Sequence, residues 1–317
     1  SVGSDLVVNS DTPQLEVAAG SATQSGVISE TGGARPLEKI GAGELTLSGS
    51  NTFTGAMTVA AGTLSLDNGA ALADSVAVIV NDGATLKLNS DETIASLANA
   101  VGAALSGATL SVAGSDLEIA GAASTTFNGT MTGTGTVVNT GSGRLELTGN
   151  GSGFTGLLGA AGAGSEVAIT GTGTTGANFV GAKTGASFAT DGGALLTSNT
   201  VLAADGHVTF SGSETIGTLV NSAPDNIAHG TVTLTGAGTI LTVNGSANPL
   251  NPGAFNGTNG TIDGTGTLNI TGGTFTVGAA GDVQTATTVG ASGTVVNDGS
   301  LTDVSNAGTV TNNGTGN

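Results

Sequence analysis

Residues 41–66 read GAGELTLSGSNTFTGAMTVAAGTLSL, and a degenerate copy of the start of this stretch, GSGRLELTGNGSGFTG, returns one hundred positions later at residues 141–156. Five aligned pairs carry the likeness: Gly41 with Gly141, Gly43 with Gly143, Leu45 with Leu145, Leu47 with Leu147, and Gly49 with Gly149. Self-similarity at a long interval is the signature of a repeat architecture. The chain is therefore predicted to consist of stacked repeats.

Other phrases recur in the same order. Glu92-Thr93-Ile94 returns as Glu214-Thr215-Ile216, and Phe127-Asn128-Gly129-Thr130 returns as Phe255-Asn256-Gly257-Thr258. These echoes predict one continuous segment over residues 1–317, because each repeat of a solenoid contacts only its neighbours. Within it we expect degenerate superrepeats at roughly residues 25–126 and 127–254, with a partial copy at 255–317.

Short alternating segments dominate the chain, and period two indicates β-strands. Examples are Glu44 to Leu47, Thr63 to Leu66 and Thr231 to Thr235. Asn-Gly and Asp-Gly pairs lie between such segments and favour tight corners. The same pairs are also hairpin signals, so an antiparallel sandwich competes with a solenoid until the long repeats are considered. Asp91 to Ala104 is the one segment predicted as a short helix.

The composition suits a narrow aliphatic core. Of the residues, 38% are hydrophobic, only 3% are aromatic, and 57 are glycine. A parallel β-helix stacks equivalent strands about 4.8 Å apart, which favours branched aliphatics inside and small residues at corners. The predicted fold class is all-β, a single-stranded parallel β-helix. The residues predicted to form its core are Leu45, Leu47, Val59, Leu64, Leu66, Leu145 and Leu147.

Charge and cysteine content exclude several functions. The formal net charge of −18 opposes binding to nucleic acids or anionic lipid headgroups. The absence of cysteine removes disulfides and thiolate metal sites. No apolar run approaches the roughly 20 residues of a membrane-spanning helix. Nucleic acid is therefore not expected among the partners.

The string GxGxLTLSGxNTFTGxxTVxxGTLxL, which spans Gly41 to Leu66, resembles the passenger-associated repeat of bacterial autotransporters, also called the autotransporter-associated beta strand repeat. The resemblance extends more weakly over most of residues 25–275. It implies a right-handed parallel β-helix that lies outside the outer membrane, at the bacterial cell surface or in the extracellular space. It also implies a translocator β-barrel in the parent chain. This chain has no Tyr or Trp for aromatic girdles, so we expect it to be passenger without translocator.

Catalytic candidates are few, and none is assigned. His207 lies in an alternating segment and is expected on a strand surface. His229 follows Pro224 in a segment where Ser222 and Asp225 could complete a Ser-His-Asp set, but loop polarity is the better explanation of these residues. Ser4-Asp5 and Ser115-Asp116 lack the GDSGS-like context of autotransporter serine proteases. We therefore predict no catalytic residue and no enzymatic activity.

Cofactor and metal sites are not predicted either. The glycine pairs around Gly41 precede strands, whereas a phosphate cradle needs a helix N-terminus. Asp191-Gly192-Gly193 and Asp298-Gly299 stand alone, whereas calcium-binding β-rolls repeat such motifs at short intervals. Acidic residues are scattered and sugar-stacking Trp and Tyr are absent, which disfavours a β-helical carbohydrate-active enzyme. Irregular Thr-x-Thr triplets likewise disfavour an ice-binding solenoid.

The predicted function is structural. We expect a surface-exposed β-helix of an autotransporter adhesin that mediates adhesion, autoaggregation or biofilm formation, or serves as its stalk. The alternative is an extracellular filament or surface-layer subunit that stacks through its ends. Expected partners are other copies of the chain, associating end to end, or a receptor on a host or neighbouring cell.

Overall fold

The computed structural model describes residues 1–100, 107–195, 200–221, 229–245, 256–258 and 260–316. Every regular element in these ranges is a β-strand. No described segment forms a helix capable of crossing a membrane. The chain divides into two compact units, Ser1–Leu157 and Leu158–Asn317, which we call unit 1 and unit 2.

Unit 1 is built of short strands that are three or four residues long in most cases. They are β1 Leu6–Val8, β2 Gln14–Glu16, β3 Ser21–Gln24, β4 Ile28–Glu30, β5 Leu37–Ile40, β6 Glu44–Leu47, β7 Met57–Val59, β8 Thr63–Leu66, β9 Ala77–Val80, β10 Thr85–Leu88, β11 Glu92–Ile94, β12 Ser96–Asn99, β13 Thr109–Val112, β14 Leu117–Ile119, β15 Thr125–Phe127, β16 Thr130–Gly133, β17 Thr136–Asn139, β18 Arg144–Leu147, β19 Asn150–Gly151 and β20 Gly153–Phe154. Strand β21, Leu157–Ala160, spans the division between the units.

Unit 2 contains the remaining strands, two of which are much longer than the others. They are β22 Glu166–Thr170, β23 Thr174–Thr175, β24 Phe179–Ala182, β25 Ser187–Asp191, β26 Ala194–Leu195, β27 Val201–Ala204, β28 His207–Phe210, β29 Glu214–Ile216, β30 Thr218–Asn221, β31 His229–Leu234, β32 Ile240–Val243, β33 Gly257–Thr258, β34 Gly260–Gly264, β35 Thr267–Val277, β36 Asp282–Val283, β37 Ala286–Asn297, β38 Ser300–Leu301, β39 Val304–Asn306, β40 Thr309–Asn312 and β41 Thr315–Gly316.

Unit 1 is a parallel β-solenoid. One sheet stacks β3, β6, β8, β10, β13, β16 and β20 in chain order, and a second stacks β2, β5, β7, β9 and β12. Leu45 pairs with Leu64 (19 residues on), and Leu64 pairs with Leu86 (22 residues on). Successive turns of the chain therefore place equivalent residues one above another, as the repeats predict.

Unit 2 repeats this architecture. Its parallel ladder joins β22, β25, β28, β31, β34, β36, β38 and β41 in chain order. The C-terminal strands β37 and β40 also pair in parallel, with Thr294 opposite Thr309. The predicted parallel β-solenoid class is confirmed in each unit. The right hand and the single continuous segment over residues 1–317 stay predictions.

The core of unit 1 consists of inward aliphatic columns. Leu45, Leu64, Leu86, Leu110 and Met131 form one column in register, and each is at most 5% exposed. Every residue predicted for the core is buried, including Leu145 and Leu147. Alternation was sufficient to assign them because residues i and i+2 of a strand share a face.

Glycine is required at corners where one turn of backbone lies directly against the next. A Cβ on Gly49 would stand 2.3 Å from the carbonyl oxygen of Gly26, and a Cβ on Gly149 would stand 2.0 Å from that of Gly129. Such contacts involve backbone that cannot move aside. The repeated glycines of the sequence are therefore close-approach positions.

The short helix predicted from Asp91 to Ala104 is wrong over its described part. Residues Glu92–Ile94 and Ser96–Asn99 are strands β11 and β12. Strand β11 pairs with β14 and β12 pairs with β9, so ladder partners override the helical propensity of Glu, Leu and Ala in this segment. Residues 101–104 lie outside the described residues.

The core assignment can be tested at β6, where neighbouring positions face opposite ways. Leu47→Asp should destabilise unit 1 by about 4 kcal/mol or more, because it places a carboxylate without a partner in a dry core. Thr46→Asp, on the half-exposed outer face of the same strand, should change stability by less than about 1 kcal/mol. Urea unfolding followed by circular dichroism measures both, and equal stabilities would remove Leu47 from the core.

Candidate functional site

The residues considered for catalysis are not brought together. His207 lies exposed at the start of β28, as predicted for a strand surface, and its Nε2 is 3.0 Å from Thr209 Oγ1. Ser222 and Asp225 lie outside the described residues, and of His229 only the backbone in β31 is described. Among described residues, no group of three or more His, Asp or Glu side chains could hold a metal ion.

A shallow polar groove of about 420 Å³ crosses three turns of unit 2 beside His207. Ser187, His207 and Thr231 line it in register, because β25, β28 and β31 are adjacent. The Asp205 carboxylate also lines the groove, but its Oδ1 is buried and accepts no hydrogen bond. The groove is an open depression on the surface of unit 2.

The most regular surface in unit 1 is the outer side of β3, β6, β8, β10, β13 and β16, which we call the hydroxyl face. Ten of its twelve outward positions are Ser or Thr, and nine of these ten residues reach solvent, because Ser65 is 0% exposed. Its members, from the first strand to the last, are Ser21 and Thr23, Glu44 and Thr46, Thr63 and Ser65, Thr85 and Lys87, Thr109 and Ser111, and Thr130 and Thr132. The parallel register aligns these side chains in two columns, with neighbouring rows about 4.8 Å apart.

The hydroxyl face is formally neutral, although the chain carries a net charge of −18. Its two charged residues face each other across one strand, with Lys87 Nζ 3.5 Å from Glu44 Oε1. A hydrogen bond from the Ser65 hydroxyl, with the nearby Lys87 ammonium, lowers the pKa of Glu44. The face therefore combines a continuous hydrogen-bonded ladder with hydrogen-bonding side chains of balanced charge.

Beneath the surface, a lysine is buried where a solenoid core usually holds an aliphatic residue. Lys39 is 0% exposed, and its Nζ donates to the carbonyl oxygens of Gly41 at 2.6 Å, Gly43 at 2.6 Å and Ala61 at 2.8 Å. Burial lowers the pKa of its ammonium group. The three carbonyls belong to corners of two successive turns, so the hydrogen bonds of Lys39 connect one turn to the next.

Asn139 occupies the equivalent position in the second copy of the repeat. Lys39 precedes Gly41 and Gly43 in the chain as Asn139 precedes Gly141 and Gly143. Asn139 is 1% exposed, and its Nδ2 donates to the carbonyl oxygen of Gly143 at 2.7 Å. The aligned glycines were visible in the sequence, but the inward polar side chain two residues before them was missed.

A second set of buried polar groups connects four successive turns of unit 1. The amide of Ile28 donates to Asn51 Oδ1 at 2.6 Å, and Asn51 Nδ2 donates to the carbonyl of Ala71 at 2.6 Å. Ala71 and Leu72 then donate their amide hydrogens to the carboxyl group of Glu92, at 3.0 and 3.3 Å. These contacts satisfy corner backbone groups that the ladders leave unpaired.

Unit 2 reproduces the last of these contacts. The amide of Leu195 donates to Glu214 Oε2 at 3.1 Å, and Glu214 is the counterpart of Glu92 in the repeated Glu-Thr-Ile phrase. Burial raises the pKa of both carboxyl groups to about 7, and the backbone donors only partly offset it. The phrase was recognised in the sequence, but its inward carboxyl groups were not.

Parts of the chain are similar to known autotransporter proteins. A sequence profile of the family described as passenger-associated-transport-repeat matches residues 37–66, which include Lys39, Asn51 and the strands β5 to β8. The chain is also 33% identical over 156 residues to the "Adhesin BmaC autotransporter" of Brucella suis biovar 1 (strain 1330).

The resemblance to autotransporter passenger domains is confirmed. The alignment with the Brucella adhesin covers 45% of this chain and 4% of that protein. No solved structure matches the chain. The autotransporter relationship is consistent with a translocator β-barrel in the parent chain and with secretion to the cell surface. Receptor binding and end-to-end association stay predictions.

The role of Lys39 within the passenger repeat can be tested against a surface lysine of the same unit. Lys39→Met should lower the free energy of unfolding by about 2–4 kcal/mol, because carbonyl oxygens of two corners lose a charged donor inside the core. Lys87→Met removes only a half-exposed ion pair and should cost less than about 1 kcal/mol. Urea unfolding of both variants gives the comparison; equal losses would contradict a structural role for Lys39.

Proposed function

We propose that this chain is a surface-exposed structural segment of an autotransporter adhesin, and that the hydroxyl face of unit 1 is its contact surface. The observation that carries the proposal is the two-column array of Ser and Thr on six adjacent parallel strands. Similarity to a protein named as an adhesin supports the same role. The role requires no catalytic activity, and we propose none.

The physical case rests on rigidity and charge. Hydroxyl groups held on a continuous ladder lose little conformational freedom when they bind, because the backbone is already ordered. A formally neutral face avoids the repulsion that a net charge of −18 would otherwise impose on a negatively charged cell surface. Many weak, aligned contacts can then add up to firm attachment when many copies are displayed. These properties suit adhesion, autoaggregation or biofilm formation.

The proposal can be tested by displaying residues 1–317 on a non-adherent bacterium through a fused translocator. We expect attachment to epithelial cells or to other bacteria to rise at least 10-fold over cells that display the translocator alone. Thr85→Glu combined with Thr109→Glu should abolish most of the gain, because two carboxylates enter one column of the face.

The matched control places the same charges on other strands of unit 1. Thr58→Glu combined with Thr93→Glu alters half-exposed threonines of β7 and β11 and should leave attachment within about 2-fold of the unmodified chain. Equal losses in both double variants would contradict a specific role for the hydroxyl face. If the unmodified chain is displayed without any gain in attachment, the adhesive role is wrong and the stalk role remains.

A further inference from the structure

Glu92 and Glu214 occupy the same place in two separate units. Each is the first residue of its Glu-Thr-Ile strand, each is at most 5% exposed, and each accepts a backbone N–H from a corner about 20 residues earlier. The preceding residue also has the same role in both copies: Asp91 Oδ1 accepts from the amide of Asp116, and Ser213 Oγ accepts from that of Ile240. The arrangement therefore joins three successive turns in each unit.

Among the described residues, no cation lies beside either carboxyl group. The negative charge of Asp74 raises the pKa of Glu92 further. On β14, the strand that pairs with β11, the register partner of Glu92 is Leu117. Glu214 faces the Leu195 amide and the Thr190 side chain, and its register partner on β32 is Leu241. An ionised carboxylate at either place would be buried without positive compensation. A neutral carboxyl group can still accept a corner N–H through its carbonyl oxygen, and at Glu92 the second, longer N–H contact then falls on the hydroxyl oxygen.

We propose that Glu92 and Glu214 are pH-dependent clasps, which hold the corners at Ala71-Leu72 and at Leu195 more firmly in mildly acidic than in mildly alkaline solution. The direction follows from linkage. Burial raises the pKa of each group from 4.5 to about 7 in the closed corner, so the closed form binds more protons than the open form between these values. The added stability is complete below about pH 4.5 and is lost as the pH rises through 7.

The consequence is local, because turns of a solenoid can open without unfolding their more distant neighbours. At pH 8 the two corners should open more often while the ladders elsewhere stay closed. A segment of this kind would become firmer when its surroundings acidify, which is the reverse of ordinary acid denaturation. The effect is built into the fold through one repeated residue.

Hydrogen exchange of the full chain, read by mass spectrometry at pH 5 and pH 8, tests the proposal. After correction for intrinsic exchange rates, the opening equilibrium of the corner segments around residues 71–72 and 195 should rise roughly 70-fold from pH 5 to pH 8. This rise is expected when the carboxyl group has a pKa of 4.5 in the open corner and about 7 in the closed corner. Equal corrected protection at the two pH values would overturn the proposal.

Single variants assign the effect. Glu92→Gln should abolish the pH dependence at residues 71–72 and leave it at residue 195, and Glu214→Gln should do the reverse, because glutamine stays neutral. Glu118→Gln, on the outer face of β14, should alter neither corner. Both histidines lie in unit 2, and Glu214→Gln retains both, so any contribution from them would persist in that variant. Unchanged pH dependence in the two corner variants would rule out the clasps.

A measurement on the unmodified chain covers the case in which a variant does not fold. The chain has nine glutamates, and selective ¹³C labelling of their carboxyl groups allows each to be titrated by NMR. We expect two signals with midpoints near pH 7. Nine midpoints below about pH 5.5 would show that neither buried carboxyl group stays neutral, and the proposal would fail.

Discussion

The hydrogen-bonded ladder between successive turns is the constraint on which the rest of each unit depends. Parallel strands in register place the same backbone atoms of every turn directly above one another, so each flat stretch pairs with the next. The ladder is interrupted where the chain bends, and some N–H and C=O groups of the corners then lie inside the protein without a ladder partner. An unpaired buried backbone group is costly, and such a group therefore needs a donor or acceptor from a side chain.

The buried polar side chains meet this need with different chemistry. Lys39 supplies three donors to carbonyl oxygens of two turns, and Asn139 supplies a donor to one carbonyl at the equivalent place. Asn51 both accepts and donates, so it joins the turn before it to the turn after it. Glu92 and Glu214 accept from amides. Copies of one repeat can therefore diverge in residue type, provided that each corner keeps a partner of the right polarity.

Sequence reasoning succeeded where the determining information is local. Alternation assigned Leu47 and Leu64 to the core, because two residues of spacing are enough to choose a face. Local propensity gave the wrong structure at Glu92: it predicted a helix, whereas Glu92 is the first residue of strand β11. The group that requires a carboxyl at this position is the amide of Ala71, 21 residues earlier, which becomes a neighbour only after the turns have stacked. Lys39 was missed for the same reason.

The hydroxyl face was also beyond the reach of the sequence, although each of its strands was recognisable. Thr-x-Thr and Thr-x-Ser triplets look irregular along the chain because the number of residues per turn varies, from 19 between Leu45 and Leu64 to 24 between Leu86 and Leu110. Loops of different length absorb this variation outside the sheet. The columns are regular in space because the hydrogen-bonded ladder, and not the length of the loops, sets the register of the strands.

The glycines at close-approach corners have a consequence for how such a protein can change. At Gly49 and Gly149 even one methyl group would collide with the carbonyl of the previous turn, so these positions are closed to every other amino acid. Outward residues such as Thr85 and Thr109 meet no comparable obstacle. Substitutions can therefore change the outward side chains of a turn while its corner glycines stay the same. Solenoids with very different binding properties can thus share the same pattern of glycines.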